Sequence, residues 1–574
     1  LVFCWSLTLL GLMPAPADAQ RAPVQAEHGM VTSASALASR IGVDVLKRGG
    51  NAADAAVATG IALAVAYPRA GNLGGGGFAV LRLADGRTTT IDFREAAPRG
   101  ASRDMYLDAQ GKVIPGRSSV GHLASGVPGT VAGLAMLREK YGSGKLSWAE
   151  LLEPARRLAA DGFNISPTLA GEFRSSERLL GRYPESRRIF LRDGQYYRPG
   201  ELFRQPELAK TLQRLQKQGP TEFYTGQTAK LIAAEMSSNS GLITLADLSA
   251  YHAVEREALH GSYRGYDIVT MAPPSSGGIA LLQMLKMLEP RDVAGLGFHS
   301  AAGIHLFTEV MRRAFRDRAS FLGDPDFVKV PIGPLLDSTY VAGLLNDFDA
   351  RHATPSNALR PSPIPPPEST QTTHYSVVDS AGSAISITYT LNGLYGNGVT
   401  VKGAGFLLNN EMDDFTSKVD VANGYGLIQG ATNTIQPGKR PLSSMTPTIV
   451  LKNGKPFLVT GSPGGPTIIN TVLLVVTNVI DFGMSVTRAV DAPRFHHQWQ
   501  PDSISYEPFF TSADSVAILR SFGHQLGSRR LYENAPEAEG RTWGDAESIL
   551  VDPGSGLRLG ANDIRSADSA AIGF

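Results

Sequence analysis

The stretch TTHYSVVD at residues 372–379, followed by SAISITYT at residues 383–390, decides the fold of this chain. Both segments are rich in β-branched and aromatic residues, which predicts two strands joined by Ser380-Ala381-Gly382. A three-residue loop that ends in a left-handed glycine would pair the two residues that flank it. Counting back along both strands then places Thr390 opposite Thr372, whereas a two-residue loop would turn Thr390 away.

Thr372 is a candidate nucleophile that follows a proline-rich run, Pro361 to Pro367. A threonine hydroxyl needs a base beside it. An α-amino group, with a pKa of about 7.7 to 8.0, can serve if cleavage after Gln371 makes Thr372 a chain terminus. Thr390 and Asn392 would lie on the same face of the hairpin, near enough to cooperate with Thr372. The alternative is an ordinary threonine of a β-strand.

Composition narrows the classes of function. The chain has 574 residues, of which 43% are apolar, and its formal net charge is +1. It can bury a large core, and it lacks the charge bias expected of a protein that binds nucleic acid or an anionic membrane. Length alone would allow several domains, yet no serine- or glycine-rich linker divides the middle of the sequence. We therefore expect a small-molecule partner.

The N-terminal segment has the pattern of a secretory signal peptide. Leu7 to Met13 form a short apolar run, and Ala17-Asp18-Ala19 fits the small-x-small pattern of a cleavage site. We therefore expect residues 1–19 to be removed and the protein to be periplasmic or secreted. A membrane span is rejected because the apolar run is too short for one. The only cysteine, Cys4, would leave with them. A lipoprotein anchor at Cys4 is disfavoured because the residues before it are not small.

Two helices and a hairpin are predicted upstream of the nucleophile. Apolar spacing predicts a helix over Ala36 to Arg48, and the alanine-rich segment Ala52 to Ala66 predicts a buried helix capped by Asn51. The glycines Gly74 to Gly77 precede a predicted strand pair that ends at Arg94. A phosphate-binding loop is rejected because no Gly-Lys-Ser/Thr ending follows. We expect these glycines to let backbone segments approach closely.

A series of spaced motifs carries a family resemblance. The motifs are GGNAADAAVA, GNLGGGGF, DFRE, PPSSGG, LGDPDFVKVP, TTHYSVVD, YTLN, LLNNEMDDF, KRPLSSMTPT, GSPGG and APRFHHQW. From about Val31 to the C-terminus, they resemble the γ-glutamyltranspeptidase family of the N-terminal-nucleophile hydrolase superfamily. The resemblance implies an α/β fold of four layers, an αββα sandwich in which two stacked sheets lie between helical layers.

The resemblance also implies self-processing. The precursor would cut itself before Thr372, giving a large subunit of residues 20–371 and a small catalytic subunit of residues 372–574. The two subunits would form a heterodimer interleaved in one globular unit. This would explain why the middle of the sequence contains no linker.

The chemistry implied by the resemblance is acyl transfer. Thr372 would attack the γ-carbonyl of glutathione or another γ-glutamyl compound, and water or an amino acid or dipeptide acceptor would then take the glutamyl group. Thr390 matches the threonine that orients the nucleophile. Gly464 and Gly465 match the glycines whose N–H groups stabilise the oxyanion, although by themselves two such glycines would suggest a simple turn.

The donor pocket should complement both charges of an α-amino acid. By resemblance the residues are Arg94, Ser443 and Ser444 for the α-carboxylate, and Asn392, Glu411 and Asp414 for the α-ammonium. Many bacterial members carry glutamine where this chain has Glu411, which leaves the balance of hydrolysis and transfer open. Residues 417–430, including Tyr425, resemble a lid over the glutamyl pocket.

Other interpretations remain. No cofactor or metal is expected, because His496 and His497 would point to opposite faces of a strand and no metal-binding pattern accompanies them. His374 needs no catalytic role. Within the same fold, a β-lactam acylase that takes glutaryl groups is the runner-up, which Asp414 and the lid disfavour. A binding protein that has lost processing is disfavoured because Thr372 and the glycine pair are present.

Overall fold

The computed structural model describes residues 21–359, 372–419, 421, 423, 427, 429–528 and 543–574. The predicted signal peptide, Gln371 and Tyr425 lie outside the described residues, so the expectations for them stay predictions. Within the described ranges, no helix is both long enough and apolar enough to cross a bilayer.

The strands and α-helices are numbered in chain order. The strands are β1 (Val24–Ala26), β2 (Met30–Ser33), β3 (Gly76–Arg82), β4 (Thr88–Asp92), β5 (Phe163–Asn164), β6 (Leu202–Phe203), β7 (Val254–Arg256), β8 (Leu259–Tyr263), β9 (Tyr266–Thr270), β10 (Thr373–Val378), β11 (Ala384–Thr390), β12 (Thr448–Lys452), β13 (Lys455–Thr460), β14 (Phe495–His496), β15 (Ile504–Tyr506), β16 (Leu526–Ser528), β17 (Ser548–Val551), β18 (Arg558–Ala561) and β19 (Ala570–Gly573). The helices are α1 (Ala36–Lys47), α2 (Ala52–Ala66), α3 (Thr130–Tyr141), α4 (Trp148–Asp161), α5 (Pro167–Ser175), α6 (Glu177–Leu180), α7 (Pro184–Leu191), α8 (Pro206–Gln218), α9 (Thr221–Thr225), α10 (Gln227–Ser238), α11 (Leu245–Ala250), α12 (Gly277–Leu288), α13 (Ala301–Phe321), α14 (Ile332–Leu336), α15 (Ser338–Gly343), α16 (Thr467–Ile480), α17 (Val486–Asp491) and α18 (Ala513–Ser521).

Two seven-stranded antiparallel sheets form the centre of the molecule. One has the order β1-β18-β17-β13-β12-β9-β8, and the other has the order β19-β2-β10-β11-β3-β4-β7. Both sheets contain strands from before residue 360 and strands from after residue 371. The two parts of the chain are therefore interwoven in each sheet.

Three apolar layers show how the sheets and helices stack. Phe78 and Val80 of one sheet pack with Ile449 and Val459 of the other, between the two sheets. Helices α1 to α4 pack on the outer face of the sheet that contains β10, and α12, α13 and α16 pack on the outer face of the other sheet. The order is helices, sheet, sheet, helices, so the predicted αββα fold is confirmed.

The hairpin that contains the candidate nucleophile has the predicted register. Val378 pairs with Ala384 and Thr373 pairs with Tyr389, so the same count places Thr390 beside Thr372. Gly382 has a φ of 86°, the left-handed conformation that the three-residue loop requires. The turn therefore fixes which hydroxyl lies next to Thr372.

The upstream predictions are also confirmed. Helix α2 spans Ala52–Ala66, and the Asn51 side chain accepts hydrogen bonds from the first-turn N–H groups. A Cβ atom at Gly75 or Gly77 would clash with a carbonyl oxygen of β11, that of Thr390 or Thr388 respectively. The glycine cluster therefore allows close packing of backbone beside the nucleophile.

Candidate active site

Thr372 lies one residue before β10 and is 6% exposed. The Thr390 hydroxyl donates a hydrogen bond to Thr372 Oγ1 at 3.3 Å. Thr390 Oγ1 in turn accepts the Asn392 N–H at 2.8 Å, which orients the second hydroxyl toward the first. The pair of threonines is thus held by the hairpin and by the turn that follows it.

Asn392 lies at the site, but in a turn and not in the strand position that was expected. Strand β11 ends at Thr390, and Asn392 has a φ of 72°, so it lies in a left-handed turn and not at a diagonal position of the strand. Its side-chain amide donates to the Asn410 carbonyl at 2.9 Å. The expected proximity is observed, although the strand geometry used to expect it was wrong.

A cavity of about 20 Å³, which we call the donor cavity, opens beside Thr372. Nine of the residues singled out in the sequence line it: Arg94, Thr372, Thr390, Asn392, Glu411, Asp414, Ser443, Ser444 and Gly465. Four apolar residues that the sequence analysis missed complete the lining: Leu427, Met445, Pro466 and Ile468. Leu427 belongs to the expected lid, for which Tyr425 lies outside the described residues.

Arg94 is fully buried at the centre of the charged groups. Its guanidinium contacts the carboxylates of Glu411 and Asp414, and it lies 3.8 Å from Glu95. Its Nε also donates to the Pro441 carbonyl at 3.2 Å. The groups assigned to opposite ends of a substrate therefore contact one another directly, so their charges are compensated within the protein.

Three carboxyl groups share this one guanidinium. Burial raises the pKa of Glu95 to about 7, against the attraction of Arg94. Burial also raises the pKa of Glu411 well above its usual range, and the neighbouring charges of Glu95 and Asp414 raise it further. At least one proton is thus held in the cluster near neutral pH. Sequence reasoning missed Glu95, although it follows Arg94 directly in the DFRE motif.

Ser443 and Ser444 are positioned by groups from two distant helical segments. The Ser276 hydroxyl donates to the Ser443 carbonyl at 2.6 Å, and an Nη of Arg318 donates to the Ser444 hydroxyl at 3.2 Å. Ser276 belongs to the PPSSGG motif, and Arg318 to α13. The sequence analysis missed Arg318. The available signal was that arginines recur in the helical segment α13, where the structure shows three of them to be buried: Arg312, Arg313 and Arg318.

Gly464 and Gly465 precede helix α16 and both have positive φ, 131° and 55°. A Cβ atom at Gly464 would clash with the Thr467 hydroxyl, so the turn requires glycine there. Across the described residues, neither backbone N–H donates a hydrogen bond. Backbone N–H groups before a helix favour a developing negative charge.

The histidines considered in the sequence have structural partners. Burial lowers the pKa of His374 to about 3, and its ring nitrogens contact the hydroxyls of Thr388 and Ser376. His496 contacts Asn470, and His497 contacts Asp502. These contacts occupy side chains that lie away from the donor cavity.

Among the described residues, one group has the spacing of metal ligands: His305, Glu309 and His524. The two imidazoles contact each other at 2.7 Å, and Glu309 pairs with buried arginines of the same helix, Arg312 and Arg313. The positive charges beside Glu309 oppose the binding of a cation. The group is thus explained as part of the packing of α13.

Comparison with known proteins agrees with this geometry. The family model described as Gamma-glutamyltranspeptidase matches residues 38–573. The chain belongs to this family. Glutathione hydrolase proenzyme of Escherichia coli (strain K12) is 48% identical over 553 residues, which cover 96% of this chain and 93% of that protein.

Two solved structures extend the comparison. Cephalosporin acylase from Bacillus halodurans is 26% identical and covers 99% of both chains, with a TM-score of 0.84. Gamma-glutamyltranspeptidase from Helicobacter pylori is 45% identical, with a TM-score of 0.56, over 57% of this chain and 93% of that one. The fold is thus shared by solved proteins that carry different names.

Proposed function

We propose that this family member is a self-processing γ-glutamyltransferase and glutathione hydrolase. The observation that carries the proposal is the donor cavity, where Thr372 lies with Arg94, Glu411 and Asp414. A glutamyl group is the acyl group that presents an α-ammonium and an α-carboxylate together, so a cavity with both charges suits it. The name of the E. coli relative supports the same substrate.

The proposed processing begins with the Thr372 hydroxyl. It attacks the carbonyl of Gln371, and the peptide C–N bond breaks as the ester forms, which frees the Thr372 amine; water then cleaves the ester to give the Gln371 carboxylate and restore the Thr372 hydroxyl. Residues 20–371 and 372–574 would remain as large and small subunits of a heterodimer. The interwoven strands support this, because neither part can leave without breaking both sheets.

In the proposed turnover the liberated amine is the base for Thr372 Oγ1. The oxygen attacks the γ-carbonyl of glutathione or another γ-glutamyl compound, and Gly464 and Gly465 donate N–H groups to the oxyanion. The amine product leaves, and water or an amino acid or dipeptide then takes the glutamyl group. Thr390 holds the nucleophile, and Arg94 with Ser443 and Ser444 holds the α-carboxylate.

The proposed site of action is the periplasm or the exterior of the cell. The apolar run and the Ala-Asp-Ala pattern before Gln20 support export. N-terminal sequencing of both fragments of the purified protein tests the processing and the export together. Fragments that begin at Gln20 and Thr372 are expected, and a single band of full mass would contradict self-processing.

A glutaryl-type β-lactam acylase is the second candidate, because the match to the cephalosporin acylase structure covers 99% of this chain. Glutaryl groups lack the α-ammonium, so Asp414 would then have no substrate ammonium to bind. Comparing the kcat/KM values for a γ-glutamyl amide and the matching glutaryl amide decides between the two. We expect the γ-glutamyl compound to be preferred at least tenfold, and a preference for glutaryl would overturn the proposed substrate.

A further inference from the structure

Among the described residues that line the donor cavity, Arg94 alone carries a positive charge. Its guanidinium contacts Glu411 and Asp414 and lies 3.8 Å from Glu95, so three carboxyl groups share one positive charge before any substrate enters. A substrate carboxylate in this buried cavity therefore needs further hydrogen-bond donors, because a buried anion without compensation is costly.

The two serines of the donor cavity each accept a hydrogen bond from the protein. An Nη of Arg318 donates to Ser444 Oγ at 3.2 Å, and the Met445 N–H donates to Ser443 Oγ at 3.1 Å. Within the described ranges, neither serine hydroxyl donates a hydrogen bond of its own. Both hydroxyl protons are therefore available to an acceptor inside the cavity.

Arg318 fixes the direction of the hydrogen bond at Ser444. A guanidinium can only donate, so a hydroxyl oxygen that contacts it must accept and must direct its own proton elsewhere. The same constraint holds at Ser276, whose Oγ accepts from Arg318 Nε at 2.9 Å and donates to the Ser443 carbonyl at 2.6 Å. One arginine thus orients two hydroxyls, one of which holds the backbone of the serine pair.

Arg318 acts on the cavity from behind Ser444. It lies on α13, is 2% exposed, and is not among the residues that line the donor cavity. A hydrogen bond accepted from a cation polarises the O–H bond of the accepting hydroxyl, which makes Ser444 a stronger donor. Of the two charged groups of a glutamyl end, the carboxylate can accept such a hydrogen bond, whereas the ammonium can only donate.

We infer that Arg318 is a positioning residue of the donor cavity, which directs the hydroxyl proton of Ser444 at the α-carboxylate of the glutamyl group. This inference rests on the proposed function. It supplies the α-carboxylate with a donor that the three carboxyl groups around Arg94 do not share. A donor substrate without the α-carboxylate gains nothing from Arg318.

The first test uses the processed protein and two substrates, a γ-glutamyl anilide and the 4-aminobutyryl anilide, which lacks only the α-carboxylate. Arg318→Met should lower kcat/KM for the γ-glutamyl anilide about tenfold, chiefly through KM, and should change that for the 4-aminobutyryl anilide less than about twofold. A merely structural loss would lower both values alike.

Arg313→Met is the matched control for Arg318→Met. Arg313 is also buried on α13, but its guanidinium pairs with Glu309 and Asp347 and not with a serine of the donor cavity. The ratio of kcat/KM between the two anilides should therefore stay within about twofold of wild type, even where the yield of folded protein falls.

A second test asks whether Arg318 acts through Ser444. The double variant Arg318→Met with Ser444→Ala should cleave the γ-glutamyl anilide within about twofold of Ser444→Ala alone, because the hydroxyl that Arg318 orients is already absent. If the two losses multiply in the double variant, Arg318 does not act through this hydroxyl and the inference is wrong.

An unchanged ratio between the two anilides in Arg318→Met would overturn the inference and leave the proposed function intact. A wild-type protein that cleaves both anilides equally well would contradict the proposed function itself. Because loss of a buried arginine can impair folding, a crystal structure of the wild-type protein with bound L-glutamate gives an independent result. The α-carboxylate is expected within hydrogen-bond distance of Ser444 Oγ, and a carboxylate that contacts Arg94 without Ser444 would refute the assignment.

Discussion

The two cavities that meet at Thr372 differ in how their charges are satisfied. In the donor cavity of about 20 Å³, the Arg94 guanidinium contacts the carboxylates of Glu411 and Asp414. The second cavity, which has Thr372, Gly464 and Asp545 in its lining, is about five times larger, at about 110 Å³, and Asp545 hydrogen-bonds there to Glu547 and Ser566. Carboxyl groups are therefore paired with a guanidinium on one side of the nucleophile, and with another carboxyl group and a hydroxyl on the other, roomier side.

This difference predicts strict selection on one side and tolerance on the other. A donor must replace buried ion pairs, and a donor that lacks one of its two charges would leave a buried group uncompensated, at a cost of about 3–5 kcal/mol. The second cavity offers more room beside the same nucleophile. Amines with different side chains can fit into a larger space, so acceptor preference should be broader than donor preference.

The largest expected effect comes from removing the Thr372 hydroxyl, because Thr372 lines both cavities. Thr372→Ala removes the oxygen that both cavities share, so cleavage of the precursor should stop and γ-glutamyl hydrolysis should fall by at least about 10³-fold. A denaturing gel and an anilide assay measure the two effects. Thr372→Ser, which keeps a hydroxyl, should retain both. Normal cleavage in Thr372→Ala would show that another group starts the processing.

The next effect should be confined to the donor cavity. Arg94→Ala leaves Glu411 and Asp414 without their buried counter-charge, so the kcat/KM for the donor should fall about 10²-fold while the precursor is still cleaved. The ratio of transfer to hydrolysis should stay near that of wild type, because the acceptor and water attack the same acyl-enzyme. Steady-state kinetics with donor and acceptor varied separately measures both quantities.

Arg48→Ala is a suitable control for Arg94→Ala. Arg48 pairs with Glu150 at 3.3 Å, and both side chains are about half exposed, so the pair contributes little. Its kinetics should be within twofold of wild type. An Arg94→Ala protein that binds the donor normally would mean that the α-carboxylate is held elsewhere.

The sequence predicted the donor cavity better than its internal contacts. The turn at Ser380-Ala381-Gly382 is local, so the register that joins Thr372 to Thr390 followed from counting. The other members were found through motifs, because each lies in a short segment with its own pattern. The sequence could not predict the contact between Arg94 and Glu411, because that contact depends on how segments some 300 residues apart converge in the fold.

The second cavity gave no such signal. Its walls come from the end of α2, from α5, from the segment after β18 and from the residues before β17. Tyr67, Glu172, Asp545 and Asp568 belong to no common pattern, and each alone has an ordinary surface or capping interpretation. Only the assembled fold brings them beside Thr372. A site whose residues come singly from many segments cannot be predicted from sequence motifs.

A moderate effect should follow from removing the hydrogen bond between Thr390 and Thr372. Thr390→Val removes the hydroxyl that donates to Thr372 Oγ1 and accepts the Asn392 N–H. The loss of hydrogen bonds worth about 1 kcal/mol each should lower kcat about tenfold and slow the cleavage of the precursor. Thr388→Val, on the same face of β11 but bonded to His374, is the matched control. Equal losses in the two variants would assign the effect to strand packing.

The smallest effect concerns the protons held on the donor side, where Glu95 lies with Arg94, Glu411 and Asp414. Burial raises the pKa of Glu95 from 4.5 to about 7, so the folded state favours the protonated form. The stability from this group is complete below about pH 4.5 and is lost as the pH rises to about 7. Glu95→Gln keeps a neutral side chain at every pH, so it should gain melting temperature relative to wild type between pH 5 and 8, by a few degrees.

Asp545→Asn offers the same measurement on the other side, because the pKa of Asp545 is raised from 3.8 to about 7, chiefly by burial. Each single variant should remove part of the pH dependence of the wild-type melting temperature, and the double variant should remove more than either. Thermal unfolding of the processed protein at pH 5, 6, 7 and 8 gives the slopes. If Glu95→Gln alone flattens the curve, the proton resides on the Arg94 side, and the two cavities differ in protonation as well as in pairing.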